Sequence, residues 1–210
     1  MICSCKTTAP VPNEYRTVPF WSWNDELEPD ELVRQIRAMK QAGLGGFFMH
    51  ARSGLKTPYM GERWFECVKA CILEAERLGL DAWLYDEIGW PSGFGGGEVN
   101  ASGDEFRQKF LRFRTVRREE CAVEQVAGLY SPDGSRYLGS DPSELPAGEI
   151  LEITYEVNPF YVDVLNPAVT EKFLAVTHQR YFDTLGAGLC RRIKGIFTDE
   201  PQVVIGRPVW

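Results

Sequence analysis

Apolar positions along this chain repeat one arrangement three times: an amphipathic helix, a glycine stop, then a short apolar strand that ends in polar residues. In the first copy, Leu32, Val33, Ile36 and Met39 form a stripe at helical spacing over Pro29 to Ala42. Pro29 suits a first helical position and Gly43 closes the helix. The strand Gly46-Phe47-Phe48-Met49 then runs into His50-Ala51-Arg52. The second copy places Phe65, Val68, Ile72 and Ala75 on one side of a helix from Glu62 to Leu78. Gly79 stops it, and Ala82-Trp83-Leu84-Tyr85 ends in Asp86-Glu87. The third starts at Asn166-Pro167, a cap followed by a first-turn proline, and continues through Phe173, Val176 and Tyr181 to Gly186. Its strand Gly195-Ile196-Phe197 leads into Thr198-Asp199-Glu200-Pro201. A further strand, Pro19 to Trp23, precedes the first helix and ends at Asn24-Asp25.

Strands alternating with helices predict a parallel sheet joined by right-handed crossovers, and short, nearly all-apolar strands predict cover on both faces. The segment 93–161 breaks the alternation. It opens with the glycine-rich Gly93 to Gly97, then carries strand-like stretches at Lys109 to Arg117, Ala127 to Tyr130 and Arg136 to Leu138, the last two flanking the turn Ser131-Pro132-Asp133-Gly134. Leu151, Ile153, Tyr155 and Val157 then alternate with polar residues, the mark of a half-buried antiparallel strand. The expected fold is α/β, of the (β/α)8 TIM-barrel type with only the first four β/α units present. Residues 15–92 and 162–210 would form half a barrel, 93–161 a small antiparallel β insertion after the third strand, and 1–14 an irregular N-terminal segment.

Composition narrows the functions. The 210 residues are 44% hydrophobic and 25% charged, and the formal net charge is -7. An acidic surface argues against nucleic acid. The basic run Arg107 to Arg118 is interleaved with Phe110, Leu111, Phe113 and Val116 and reads as the solvated face of a strand. No apolar run approaches the roughly 20 residues of a membrane span, so no membrane partner is expected. The first six residues lack the apolar core of a secretory signal. Cys67 and Cys71 lie one helical turn apart without a second ligand pair at zinc spacing; with Cys3, Cys5, Cys121 and Cys190 they read as free thiols, and the expected location is cytoplasmic.

In a parallel α/β sheet the loops after the strand C-termini open on one side. Those ends carry Trp21, Trp23 and Asn24; His50 and Arg52; Tyr85, Asp86, Glu87 and Trp90; and Asp199 and Glu200. The mixture suits sugar chemistry: one carboxylic acid protonates a leaving oxygen, a second acts as base or nucleophile, indoles stack on a pyranose, and polar groups bind its hydroxyls. Simpler roles stand beside these. Trp21, Trp23 and Trp83 can fill the core, Asp86 can cap a loop, Glu87 can pair with Arg52, Asp199 can cap a helix, and His178 can serve packing alone. The glycine loop lacks a Walker pattern and reads as a lid or a close-approach loop. A metal-dependent hydrolase using His50, Asp86 and Asp199 is a further alternative; one histidine is thin for zinc, and oxygen ligands suit calcium better.

Five motifs in order carry a resemblance: Pro19-Phe20-Trp21-Ser22-Trp23-Asn24; Gly45 through Met49-His50-Ala51-Arg52 to Leu55; Trp83-Leu84-Tyr85-Asp86-Glu87 through Gly89-Trp90-Pro91-Ser92-Gly93; Val162-Asp163-Val164-Leu165-Asn166-Pro167; and Gly195-Ile196-Phe197-Thr198-Asp199-Glu200-Pro201. Together the chain from Tyr15 to Gln202 resembles the α-L-rhamnosidase-like glycosyl hydrolase family. The resemblance implies a catalytic barrel that uses neither nucleotide nor flavin, an inverting removal of L-rhamnose from plant polysaccharides, and calcium at the site. It implies Glu200 as general acid, with His50, Arg52, Asp86 and Glu87 as sugar or metal contacts. Barrels of that family are longer than this chain, so an N-terminal half barrel is expected, incomplete as a catalyst, with open sheet edges that favour self-association. The alternative reading is a non-catalytic carbohydrate-binding half barrel that pairs with itself.

Overall fold

The computed structural model describes residues 11–202, so Cys3 and Cys5 lie outside the described residues. The chain divides into two units: residues 11–99 with 170–202, and Asn100–Val169.

The first unit is built on β1 (Phe20–Trp23), α1 (Pro29–Gln41), β2 (Gly46–Ala51), α2 (Glu62–Leu78) and β3 (Asp81–Tyr85). The second holds β4 (Arg107–Arg117), β5 (Val126–Tyr130), β6 (Tyr137–Gly139) and β7 (Glu149–Val162). The chain returns to the first through α3 (Pro167–Leu174), a five-residue π turn (Ala175–Gln179), α4 (Arg180–Cys190) and β8 (Ile193–Phe197).

In the first unit the strands form a parallel sheet in the order β1-β2-β3-β8. Helix α2 occupies the residues its apolar stripe predicts and ends where Gly79 takes a left-handed conformation (φ 63°, ψ 45°), its N–H bonding back to Ala75 and Glu76 carbonyls. Alternation along the strands sends Trp21, Trp23, Phe47, Met49 and Leu84 into the apolar core with Ile36 of α1 and Trp64 and Val68 of α2. Trp23 meets Trp64 edge-on at 4.9 Å, and the Trp64 indole N–H donates to the Tyr181 hydroxyl at 3.1 Å, which ties α2 to α4. Each such side chain contributes about 1.5–3 kcal/mol by leaving water. The opposite face is a layer of rings: Phe20 lies 5.1 Å from Phe48 and 4.9 Å from Phe197, and Phe48 lies 5.3 Å from Trp83. Phe20 remains 50% exposed.

The second unit is an antiparallel sheet in the order β4-β7-β5-β6. The basic run lies on β4 and finds acids across the ladder on β7. Arg114 pairs with Glu152 at 2.6 Å and Arg112 with Glu156 at 2.7 Å. Glu152 is fully buried, and its second oxygen accepts the Ala122 N–H.

The expectation of half a (β/α)8 barrel is overturned. The described residues form a mixed α/β fold with two four-stranded sheets, one parallel and one antiparallel, and four α-helices. Alternating strands and helices dictate strand direction and crossovers, and say little about curvature or closure; the insertion builds as many strands as the sheet it interrupts. The third helix also differs from its pattern. It is broken by the π turn and runs past Gly186 to Cys190, with Gly186 at φ 73° and ψ 159° inside it. No helix among the described residues is long and apolar enough to cross a membrane.

Candidate functional site

The C-terminal ends of β2, β3 and β8 bring His50, Tyr85, Asp86, Glu87, Asp199 and Glu200 into one neighbourhood, because parallel neighbours in register end together. Ala82 to Tyr85 pair with Ile193 to Phe197, and the Asp86 N–H continues the ladder to the Phe197 carbonyl at 3.1 Å.

Tyr85, buried, donates its hydroxyl to Asp199 Oδ2 at 2.6 Å. Burial, and after it the Asp199 carboxylate, push the Tyr85 phenol far above its ordinary range, so it stays a donor. The His50 ring stacks on Tyr85 with centroids 3.5 Å apart and planes 19° apart. His50 is 4% exposed, and neither of its ring nitrogens has a hydrogen-bond partner among the described residues. Burial, then the Arg52 charge, lower its pKa to about 4 against the opposing pull of Asp199. At neutral pH the ring is neutral and offers one donor and one acceptor.

The two consecutive acids after β3 do different work. Asp86, 1% exposed, accepts the Ser92 hydroxyl on Oδ1 at 2.5 Å and the Thr198 hydroxyl on Oδ2 at 2.7 Å. Burial raises its pKa against those two hydrogen bonds. Glu87, 0% exposed, accepts backbone N–H groups from Ile88 at 2.8 Å and from Gly95 and Gly96 at 2.6 Å each. Its carboxylate therefore holds the glycine loop, and Arg52, which is exposed, is not its hydrogen-bond partner. Burial brings its pKa to about 7, with the three N–H donors pulling the other way. Gly95 is required in that loop: its φ is 57°, and a Cβ there would lie 2.7 Å from Val176 Cγ2.

Asp199 is half-buried and Glu200 is exposed. Glu200 has φ 44°, a left-handed conformation uncommon for a residue with a side chain. Asn24 and Arg52 are exposed at the ends of β1 and β2, and Trp90 is 49% exposed on the loop after β3. Trp21 and Trp23 point the other way, into the helix-covered core, where the Trp21 indole N–H bonds Gln35 Oε1 at 2.9 Å. His178 sits in the π turn with Nδ1 2.9 Å from the Thr177 hydroxyl. Ser92 and Thr198, which carry no signal of their own in the sequence, join Asp86 to the Asp199 strand end through their hydroxyls.

A calcium ion takes six to eight oxygen ligands. Here the buried carboxylates spend their oxygens on hydroxyl and amide donors, and among the described residues no group of three or more acidic, histidine or cysteine residues is arranged to hold a metal. These residues do not fit calcium.

The sequence matches no protein-family model. No curated protein matches it either. Among solved structures, it is similar to a rhamnosidase from Novosphingobium sp. PP1Y, at 26% identity and a TM-score of 0.41. The match covers 50% of this chain and 10% of that one, so the chain spans about a tenth of that protein's length.

Proposed function

We propose that the chain carries a glycoside-hydrolysing site in which Glu200 is the general acid, with α-L-rhamnosides as the first substrate class to try. One observation supports this above the others. An exposed carboxylate in a left-handed backbone conformation follows Asp199, and the same group of strand ends holds a buried histidine whose ring nitrogens are both unpartnered. A buried polar group without a partner is costly, and such exceptions call for an explanation; a sugar hydroxyl at His50 supplies one. Glu200 protonates the departing glycosidic oxygen. Phe20 and Trp90, each about half exposed, offer ring faces to a pyranose, and Arg52 and Asn24 offer donors at the rim.

The test is Glu200→Gln on a panel of aryl glycosides. Turnover of substrates with poor leaving groups should fall at least 100-fold, and activated leaving groups, which need little protonation, should be spared. Equal turnover by both proteins on the poor leaving groups overturns the assignment. The exposed rings also support a second reading, carbohydrate binding without turnover. Sugar-dependent tryptophan fluorescence with no released product would favour it.

A further inference from the structure

We propose that Ser92, backed by Asp86, is a positioning residue that fixes the backbone from which Glu200 projects; the role rests on the reading of Glu200 as the acid. Ser92 is fully buried on the loop after β3. Its hydroxyl donates to Asp86 Oδ1 at 2.5 Å and accepts the Asp199 N–H at 2.9 Å, while its own N–H donates to the Asp199 carbonyl at 2.9 Å. Asp199 is thus held at both backbone polar groups by one residue. The Asp199 carbonyl belongs to the peptide plane that leads into Glu200, so fixing it fixes one side of the Glu200 backbone.

The residue before Asp199 is held as well, since the Thr198 hydroxyl occupies the other Asp86 oxygen at 2.7 Å. A buried carboxylate therefore anchors two hydroxyls, and through them the strand end that precedes the acid. A hydroxyl that donates to a carboxylate is polarised into a better acceptor, which strengthens its grip on the Asp199 N–H. A side-chain-bearing residue persists at φ 44° only when its surroundings over-determine it, and the paired bonds from Ser92 do so one residue upstream.

The experiment compares wild type, Ser92→Ala and Thr198→Val. Each is assayed on a poor-leaving-group and an activated aryl rhamnoside, and the exchange of the Asp199 amide proton is followed by NMR. For Ser92→Ala, kcat on the poor leaving group should fall at least 10-fold at unchanged KM. The activated substrate should be spared, and Asp199 amide exchange should accelerate at least 10-fold. Thr198→Val, which removes only the second hydroxyl on Asp86, should show the same pattern more weakly, and it carries the test if Ser92→Ala does not fold. Equal losses on both substrates, as general loosening would give, or unchanged Asp199 exchange overturns the proposal. If the wild type cleaves neither substrate, the hydrolase reading fails by itself; amide exchange then decides the positioning claim, faster exchange sustaining it and unchanged exchange ending it.

Discussion

The Tyr85 hydroxyl donates to Asp199 Oδ2 at 2.6 Å, which binds the last residue of β3 to the second residue beyond β8. Tyr85→Phe keeps the ring that stacks on His50 and removes this bond, together with the longer one from the same hydroxyl to the Gly89 carbonyl at 3.4 Å. Because Asp199 is only half-buried, water takes up part of the loss. The expected destabilisation is about 1 kcal/mol, read as a lower urea midpoint at unchanged slope. An unchanged midpoint would mean the bond contributes nothing to the fold.

Glu87 and His50 should impose opposite pH dependences on stability. Glu87 has a folded pKa of about 7 against an ordinary 4.5, so its contribution is present at low pH and lost as pH rises to 7. His50 has a folded pKa of about 4 against 6.5, so its contribution is present above 6.5 and lost as pH falls to 4. Each amounts to about 3 kcal/mol across its window, and the two nearly cancel where the windows overlap. Asp86 and His178 shift in the same two directions and add to the same balance. Urea titrations of Glu87→Gln at pH values from 4 to 7 should therefore uncover a stability that climbs with pH, steeper than wild type. A slope identical to wild type would show that Glu87 does not titrate in this range.

Gly95→Ala places a Cβ against Val176 at a backbone angle that disfavours it. The left-handed conformation alone costs about 1–2 kcal/mol, so the thermal midpoint should fall by several degrees. A midpoint equal to wild type would show that the loop can move off Glu87 without cost.

Trp64→Phe removes the indole N–H that reaches Tyr181 across α2 and α4, and leaves a smaller ring beside Trp23. Combining a lost buried hydrogen bond with lost packing, about 2–3 kcal/mol is expected. The double variant with Tyr181→Phe should lose less than the sum of the single changes, since both break one bond.

Some of this structure is plain in the sequence. The α2 stripe and the glycine after it locate that helix to the residue, because spacing and stop agree. The four parallel strands are found for the same reason. The barrel expectation went wrong where pattern stops being informative: the period of apolar residues records which side of an element is buried, not how a sheet bends. At the site, His50, Asp86, Glu87 and Asp199 are legible because strand ends can be read directly. Ser92 and Thr198 are not, because a serine and a threonine in loops signal nothing until β3 and β8 are known to be neighbours. The partners of Glu87 are backbone amides, and the run Gly95-Gly96-Gly97 is the only trace they leave.

The π turn at Ala175–Gln179 bears on how this helix tolerates changes in length. Phe173 and Tyr181, on either side of it, are both buried although they stand eight positions apart. In an unbroken α-helix of about 3.6 residues per turn, the seventh position returns to about 20° from the first, while the eighth lies about 80° away, at the edge of the same face. A π turn absorbs one residue, so the eight positions act as seven and both rings reach the interior. The turn thus acts as a spare link. Deleting one residue between 175 and 179 should straighten the helix and leave both rings in place, whereas the same deletion in α2 would rotate everything downstream of it out of register.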